Sequence, residues 1–169
     1  SYDYNTKEIK LVTEDDISDY CFIPEKNIFA YYVVENEMLS KCAQRAAKEY
    51  GYRLIELHYK KTPKIKGENM IFDAGPSEFL TYIRDAELVL TNSFHGTVFS
   101  VLFQKLFYSV YKENGRITNL LTFLNLERRH IETDAKMDFK DKIDYTTVAE
   151  KLCSYREKSV EYLEKGIEQ

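Results

Sequence analysis

From residue 28 onward, two hydrophobic rhythms alternate along the chain. "NIFAYYVVEN" places a β-branched and aromatic run, Ile28 to Val34, between polar residues, the pattern of a buried strand. "MLSKCAQRAAKEYG" changes to helical spacing, with Leu39, Cys42, Ala43, Ala46, Ala47 and Tyr50 on one side and Gly51 as the stop. "YRLIELHY" returns to strand character, which completes a β-α-β unit. "DAGPSEFLTYIRDA" predicts a helix opened by Gly75 and Pro76, with Phe79, Leu80 and Ile83 as its inner stripe. Proline at the first helical position gives up no needed hydrogen bond. "ELVLT" is the next strand, and "GTVFSVLFQ" a helix apolar on nearly every side, expected deep in the domain.

"KLFYSVY" reads as a further strand, and "NGRITNLLTFLN" as a helix with Ile117, Leu120, Leu121 and Leu124 on one face. After the charged "LERRHIETDAK", a terminal helix is expected from about Tyr145 to Gly166, turning Val148, Leu152, Tyr155, Tyr162 and Leu163 inward. Strands alternating with helices predict an α/β fold, a doubly wound parallel sheet covered on both faces. Residues 1–26, acidic around Glu14, Asp15, Asp16 and Asp19, read as a connecting segment ahead of one domain over 27–169. "KKTPKIKGEN" is a loop whose Lys60, Lys61, Lys64 and Lys66 are either solvated or, beside a cleft, able to steer an anionic substrate.

Composition narrows the class. A chain of 169 residues suits one domain or half of a two-domain enzyme. Hydrophobic residues at 44% and charged residues at 31% describe a folded chain. A net charge of −4 argues against a protein that binds nucleic acid by neutralising phosphates. Cys21, Cys42 and Cys153 lie far apart in no metal-ligand spacing, and no metal is expected. Cys42 and Cys153 fall on apolar faces of predicted helices, which points to buried reduced thiols and a cytoplasmic setting. No apolar run approaches the roughly 20 residues that span a bilayer, and no signal-peptide pattern is visible. The chain opens with Ser1, as expected of a piece of a longer protein.

The candidate chemistry sits in "VLTNSFHGTVFSVLFQK". In an open parallel sheet, ligands bind beyond the carboxyl ends of the strands. Asn92, Ser93, Phe94 and His95 are expected in such a loop, with Gly96 and Thr97 opening the helix and offering unpaired N–H groups. A helix start of this kind attracts phosphate or carboxylate. Gly96 would admit a ligand close to the backbone, and a histidine adds a contact that depends on protonation. Local physics leaves a plainer reading open, in which Ser93 only caps the helix and His95 is a satisfied core histidine. Ser-x-His with no oriented acid or oxyanion hole is no hydrolase signature.

"GPSEFLTYIRDAELVLTNSFHGTVFSVLFQKLF" resembles the C-terminal half of the polysaccharide pyruvyl transferase family. "GRITNLLTFLNLERR" fits that family's arginine-headed helix ending in a basic turn. The resemblance runs from about Ile28 to the end, with its specificity between Gly75 and Arg129. It implies the Rossmann-like, donor-binding half of a two-domain transferase of the GT-B type, with the active site between domains. The acceptor-side N-terminal domain would lie outside this chain, leaving the chain inactive by itself.

Members of the family are understood to move a pyruvyl group from phosphoenolpyruvate to a sugar, commonly as a ketal bridging two hydroxyls. The implied partners are phosphoenolpyruvate as donor substrate, no further cofactor, and a saccharide acceptor of cell-surface polysaccharide assembly. Such acceptors are often lipid-linked, which extends the cytoplasmic setting to the inner face of the membrane. A phosphate and a carboxylate need positive charge and directed N–H donors. By resemblance His95 stands at the family's functional histidine, as phosphate ligand or general acid/base, with Asn92, Ser93, Gly96 and Thr97 around the donor.

Many members carry arginine where this chain has Ser93, and loss of that planar cation is not conservative. Arg116 is the first candidate to replace it, then Arg128 and Arg129, with Lys105 behind them. Gly75, Pro76 and Glu78 form a second helix entrance on the cleft side. His58 and His130 are expected in ordinary surface or edge roles. Two alternatives stay open: a GT-B glycosyltransferase domain using a nucleotide-sugar, with Glu78 able to meet a donor ribose, and a non-catalytic binding domain of the same fold.

Overall fold

A computed structural model describes residues 2–3, 8–9, 25–59, 67, 69–132 and 141–167. Side chains are described for 25–59, 67, 69–132 and 141–162. Lys60, Lys61, Lys64 and Lys66, Cys21, and nearly all of the expected connecting segment lie outside these residues. Within that segment Tyr2–Asp3 (β1) pairs antiparallel with Glu8–Ile9 (β2).

The remaining strands are Asn27–Tyr32 (β3), Arg53–His58 (β4), Met70–Ile71 (β5), Leu88–Thr91 (β6), Phe107–Val110 (β7) and His130–Ile131 (β8). They form one six-stranded sheet in the order β5-β4-β3-β6-β7-β8, every pairing parallel. This is the doubly wound Rossmann-like order, in which the chain winds outward from a central strand in both directions. β3 and β6 are central neighbours, with Ile28 opposite Leu88 and Tyr31 opposite Thr91. Because each face of a parallel sheet is covered, β3 and β6 carry apolar residues at nearly every position. The two-residue edge strands β5 and β8 carry too little pattern to be read in advance.

The helices are Glu37–Tyr50 (α1), Pro76–Asp85 (α2), Phe94–Leu102 (α3), Gly115–Leu124 (α4) and Tyr145–Ile167 (α5). On one face α1 sets Leu39, Cys42, Ala43 and Ala46 against Ile28, Ala30 and Leu90. On the other, Ile83, Val101, Ile117 and Leu121 from α2, α3 and α4 pack on Phe29, Val89 and Phe107. Three helices leave the carboxyl edge of the sheet through side-chain caps. Asn36 accepts from the N–H of Leu39, Ser93 from that of Gly96 and Asn114 from that of Ile117. Each cap satisfies a donor that has no intrahelical partner. Gly51 ends α1 at φ 65°, a left-handed conformation that glycine adopts without steric cost.

Three expectations are overturned. α3 turns its small and hydroxyl residues, Gly96, Thr97 and Ser100, to the sheet, and leaves Leu102 58% exposed. Close approach to the sheet, rather than deep burial, is what its composition serves. α5 buries Val148 and packs Leu152 on the core but leaves Tyr155 and Tyr162 exposed, while the Leu163 side chain lies outside the described residues. Cys153 is exposed on the same helix, whereas Cys42 is buried as expected. No helix among the described residues is long and apolar enough to cross a membrane.

Candidate functional site

The strand order creates a crevice at the carboxyl ends of β3 and β6, where successive connections leave in opposite directions. Asn92 holds this point together. Its Oδ1 accepts from the N–H of Val33 at 2.9 Å and its Nδ2 donates to the carbonyl of Val34 at 2.7 Å. The buried amide thereby ties the end of β6 to the loop after β3.

The next turn is locked by hydroxyls. Thr91 Oγ1 donates to the Tyr31 carbonyl and accepts from the Ser93 N–H, each at 3.0 Å. Ser93 Oγ accepts from the Gly96 N–H at 3.2 Å, and the Ser93 carbonyl accepts the Thr97 N–H at 3.0 Å. Helix α3 therefore starts at Phe94, two residues earlier than its apolar pattern suggests. The N–H groups of Gly96 and Thr97 are engaged, which corrects the expectation that they stand free. The N–H groups of Phe94 and His95 are the ones without intrahelical acceptors.

Gly96 has a packing reason. A Cβ there would lie 2.6 Å from Thr91 Oγ1, so the missing side chain admits β6 rather than a ligand. Thr97 is fully buried, its hydroxyl bonded to the Ser93 carbonyl and, at 2.8 Å, to the Ser109 hydroxyl on β7. Ser93 is buried as well. These residues build the turn from beneath.

His95 is exposed at the second position of α3, so the satisfied-core reading does not apply to it. Its ring stands edge-on to Phe94, centroids 5.9 Å apart. Arg116, in the first turn of α4, sets its guanidinium 5.3 Å from the centre of the same Phe94 ring, a cation–π arrangement. His95 and Arg116 thus gather around one aromatic side chain. Neither α3 nor α4 carries an acidic residue in its first turn.

The other candidates lie apart. Gly75 caps α2 with Pro76 at its start, and Glu78 folds back until its Oε2 would meet a Cβ on Gly75 at 2.6 Å. None of the hydrogen bonds or ion pairs among the described residues joins Gly75 or Glu78 to His95. Arg129 is buried, donating to the Asp141 carbonyl at 2.6 Å, pairing with its carboxylate at 3.2 Å and covering the Tyr108 ring. It anchors the segment before α5 and is not free to replace an arginine at the helix start. Arg128 is exposed in the turn beside it. Lys105 donates to the Arg84 carbonyl at 2.8 Å, at the opposite edge of the sheet.

His130 stacks on Tyr111 at 3.9 Å and bonds its carbonyl, an edge-strand role as expected. His58 is buried instead of lying at the surface, stacked on Tyr32 at 4.2 Å. Burial pushes its pKa down, with Glu35 acting in the opposite sense.

Sequence reading missed the cavity on the α1 side of Asn92. It measures about 820 Å³ and lies between the start of α1 and the loop from β7 to α4. Val34, Glu35 and Met38 form one wall, and Lys112, Glu113 and Asn114 another. Asn36 closes the back by donating to the Val110 carbonyl at 3.0 Å. The available signal was the pair of strand ends, "VEN" and "KEN", each placing a carboxylate before an asparagine cap.

The family model for polysaccharide pyruvyl transferase matches residues 4–112. The matched stretch begins inside the segment read as a connector and ends four residues before Arg116. No curated protein and no solved structure matches the chain.

Proposed function

The chain belongs to the polysaccharide pyruvyl transferase family, and from that premise we propose that it binds phosphoenolpyruvate at the start of α3 for pyruvyl transfer to a saccharide. The observation that carries this reading is the meeting of His95 and Arg116 on Phe94, at a helix start free of acidic residues. Phosphate and carboxylate together need cations and directed N–H donors. Arg116 supplies a permanent charge and His95 a titratable one, while the backbone N–H groups of Phe94 and His95 face outward from the helix start. Arg116 thereby stands in for the charge that Ser93 lacks.

In the reaction, protonated His95 gives its proton to the methylene carbon of phosphoenolpyruvate, and C2 becomes cationic. A saccharide hydroxyl attacks C2 and its proton returns to His95. A second hydroxyl then displaces phosphate from C2, its proton leaves with the phosphate, and the ketal closes. On this reading the chain is the donor half of a two-domain GT-B arrangement, and its acceptor is a saccharide carried on a lipid at the cytoplasmic membrane face.

The test is a titration with phosphoenolpyruvate and, separately, with nucleotide-sugars, repeated on His95→Ala and Arg116→Ala. Each substitution removes a charge-assisted hydrogen bond and is expected to weaken phosphoenolpyruvate at least about tenfold. Unchanged affinity with full transfer activity in His95→Ala would sink the role of His95. Nucleotide-sugar binding without phosphoenolpyruvate binding would transfer the chain to the glycosyltransferase reading.

A further inference from the structure

Each crossover returns the chain to the amino edge of the parallel sheet, opposite the edge that carries His95. After β7, α4 runs back to Asn125, and the turn Glu127–Arg129 leads into β8. There the turn faces the segment before α5 across a cavity of about 380 Å³. Leu124 and Val148, both buried, contribute apolar lining, and the charged residues are three cations and two carboxylates.

Both carboxylates are already engaged. Asp141 pairs with Arg129 at 3.2 Å. Asp144 caps α5, accepting from the Thr146 N–H at 3.0 Å and from the Thr147 hydroxyl at 2.9 Å. The positive end of that helix offsets its charge in part. Arg128 and Lys142, the other two cations, are exposed and form no hydrogen bond or ion pair among the described residues. The cavity therefore carries a surplus of positive charge with no protein group to balance it.

Arg129 points the same way from within. Its side chain is 4% exposed, and Nη2 serves Asp141, yet Nη1 is buried with no hydrogen-bond partner. A charged donor left unpaired in the interior is costly, and native structures keep few of them. The guanidinium lies over the Tyr108 ring, 5.2 Å from its centre, which holds its plane in place. An anion oxygen in the cavity would give Nη1 the acceptor that the protein does not supply.

We propose that this cavity is a second anion site, which takes the phosphate group of a small phosphate monoester. Such a group offers three terminal oxygens and about −1.5 to −2 charge at pH 7. One oxygen can meet Arg129 while the others meet Arg128 and Lys142, whereas a lone carboxylate has only two oxygens to share among the three cations. The volume admits the phosphate with a small organic group attached. Because Arg128 and Lys142 come from separate segments, the ligand ties the turn before β8 to the start of α5. The proposal does not depend on the pyruvyl-transfer reading, whose donor is placed at the opposite edge.

The experiment is amide NMR on the full chain at constant ionic strength. Inorganic phosphate, glycerol 3-phosphate and succinate are added to separate samples, and phosphatidylcholine vesicles containing phosphatidic acid to another. Saturable shifts at the amides of Asn125, Lys142 and Thr147 are expected with both soluble phosphates, and little response with succinate. An Arg128→Ala, Lys142→Ala double variant changes only exposed side chains and should weaken glycerol 3-phosphate at least about tenfold. Arg129→Lys keeps the buried charge but removes the spare donor, and should weaken it as well. His95→Ala and Arg116→Ala should leave these shifts unchanged.

Equal binding of succinate would overturn the proposal, since charge alone would then explain the site. Binding to vesicles without binding of either soluble phosphate would overturn it in favour of a membrane surface. Silence at these amides, or an unchanged affinity in the double variant, would also sink it. Phosphoenolpyruvate is read separately at the Phe94 and His95 amides. Silence there with phosphate bound at the amino edge removes the pyruvyl-transfer reading and leaves this site.

Discussion

Gly96 has no room for a side chain, because Thr91 fills the space where its Cβ would stand. The glycine and the threonine together set how closely α3 approaches β6, and hence where His95 emerges. Gly96→Ala is expected to lose about 1–3 kcal/mol of stability through overpacking, measured by urea unfolding. Combining it with Thr91→Ala should cost clearly less than the sum of the two single changes, since the second removes the obstructing hydroxyl. A glycine kept only for ligand access would leave unfolding unchanged and weaken binding alone. His95 contrasts with this pair: it is exposed, forms no part of the hydroxyl lock, and can be replaced with little structural consequence.

The first β-α-β unit carries a cost of its own. Tyr32 on β3 donates to Glu56 Oε1 on β4 at 2.9 Å, beneath α1. Glu56 is almost wholly buried, and burial pushes its carboxyl pKa up, with the Tyr32 hydrogen bond acting against that shift. Burial also raises the Tyr32 hydroxyl, chiefly through desolvation and then through the charge of Glu56. Because folded Glu56 holds its proton more tightly than the unfolded chain does, its contribution is fully present below the ordinary value of 4.5. It is lost as pH rises through the folded value. Glu56→Gln keeps an acceptor for Tyr32 and removes the buried charge. At pH 7 it is expected to stabilise the chain by on the order of 1 kcal/mol, read from the urea midpoint. A destabilised variant would show that ionised Glu56 has a partner that offsets its burial.

Across the molecule, His58 adds a pH dependence of opposite sign. It is buried beside Tyr32 at the end of β4, and its imidazole is held below the ordinary 6.5 by desolvation. Folded His58 binds fewer protons than unfolded His58, so its contribution is complete above 6.5 and is lost as pH falls through the folded value. Between the ordinary values 4.5 and 6.5 the two groups pull against each other. Stability of the native chain should therefore vary less with pH in that window than stability of Glu56→Gln, where the His58 slope stands alone. Denaturant midpoints at half-unit pH steps test this; parallel profiles for the two proteins would refute it.

The alternation of strand and helix rhythms was enough to specify the parallel α/β sandwich, because each buried strand and each amphipathic helix declares itself within a dozen residues. Gly51 as the stop of α1 and Ser93 as one reading of its turn were legible from neighbouring residues, whereas the Asn36 and Asn114 caps went unread. The two short edge strands escaped because two residues carry no period. The helix start at Phe94 is set by the local Ser93 cap and was read two residues late from the apolar pattern. The packing origin of Gly96 and the burial of Arg129 were hidden because each depends on how separate elements pack.

The site divides the same way. Sequence alone singled out "NSFHG" as the candidate turn, through a polar interruption between apolar segments and a family resemblance. Tertiary structure decided which of its residues face outward and which are structural. It brought Arg116 over Phe94 and formed the cavity between Asn36 and Asn114. Those residues are neighbours only because parallel strands bring the starts of successive helices to one edge of the sheet. That juxtaposition is a property of strand order, which no local pattern encodes.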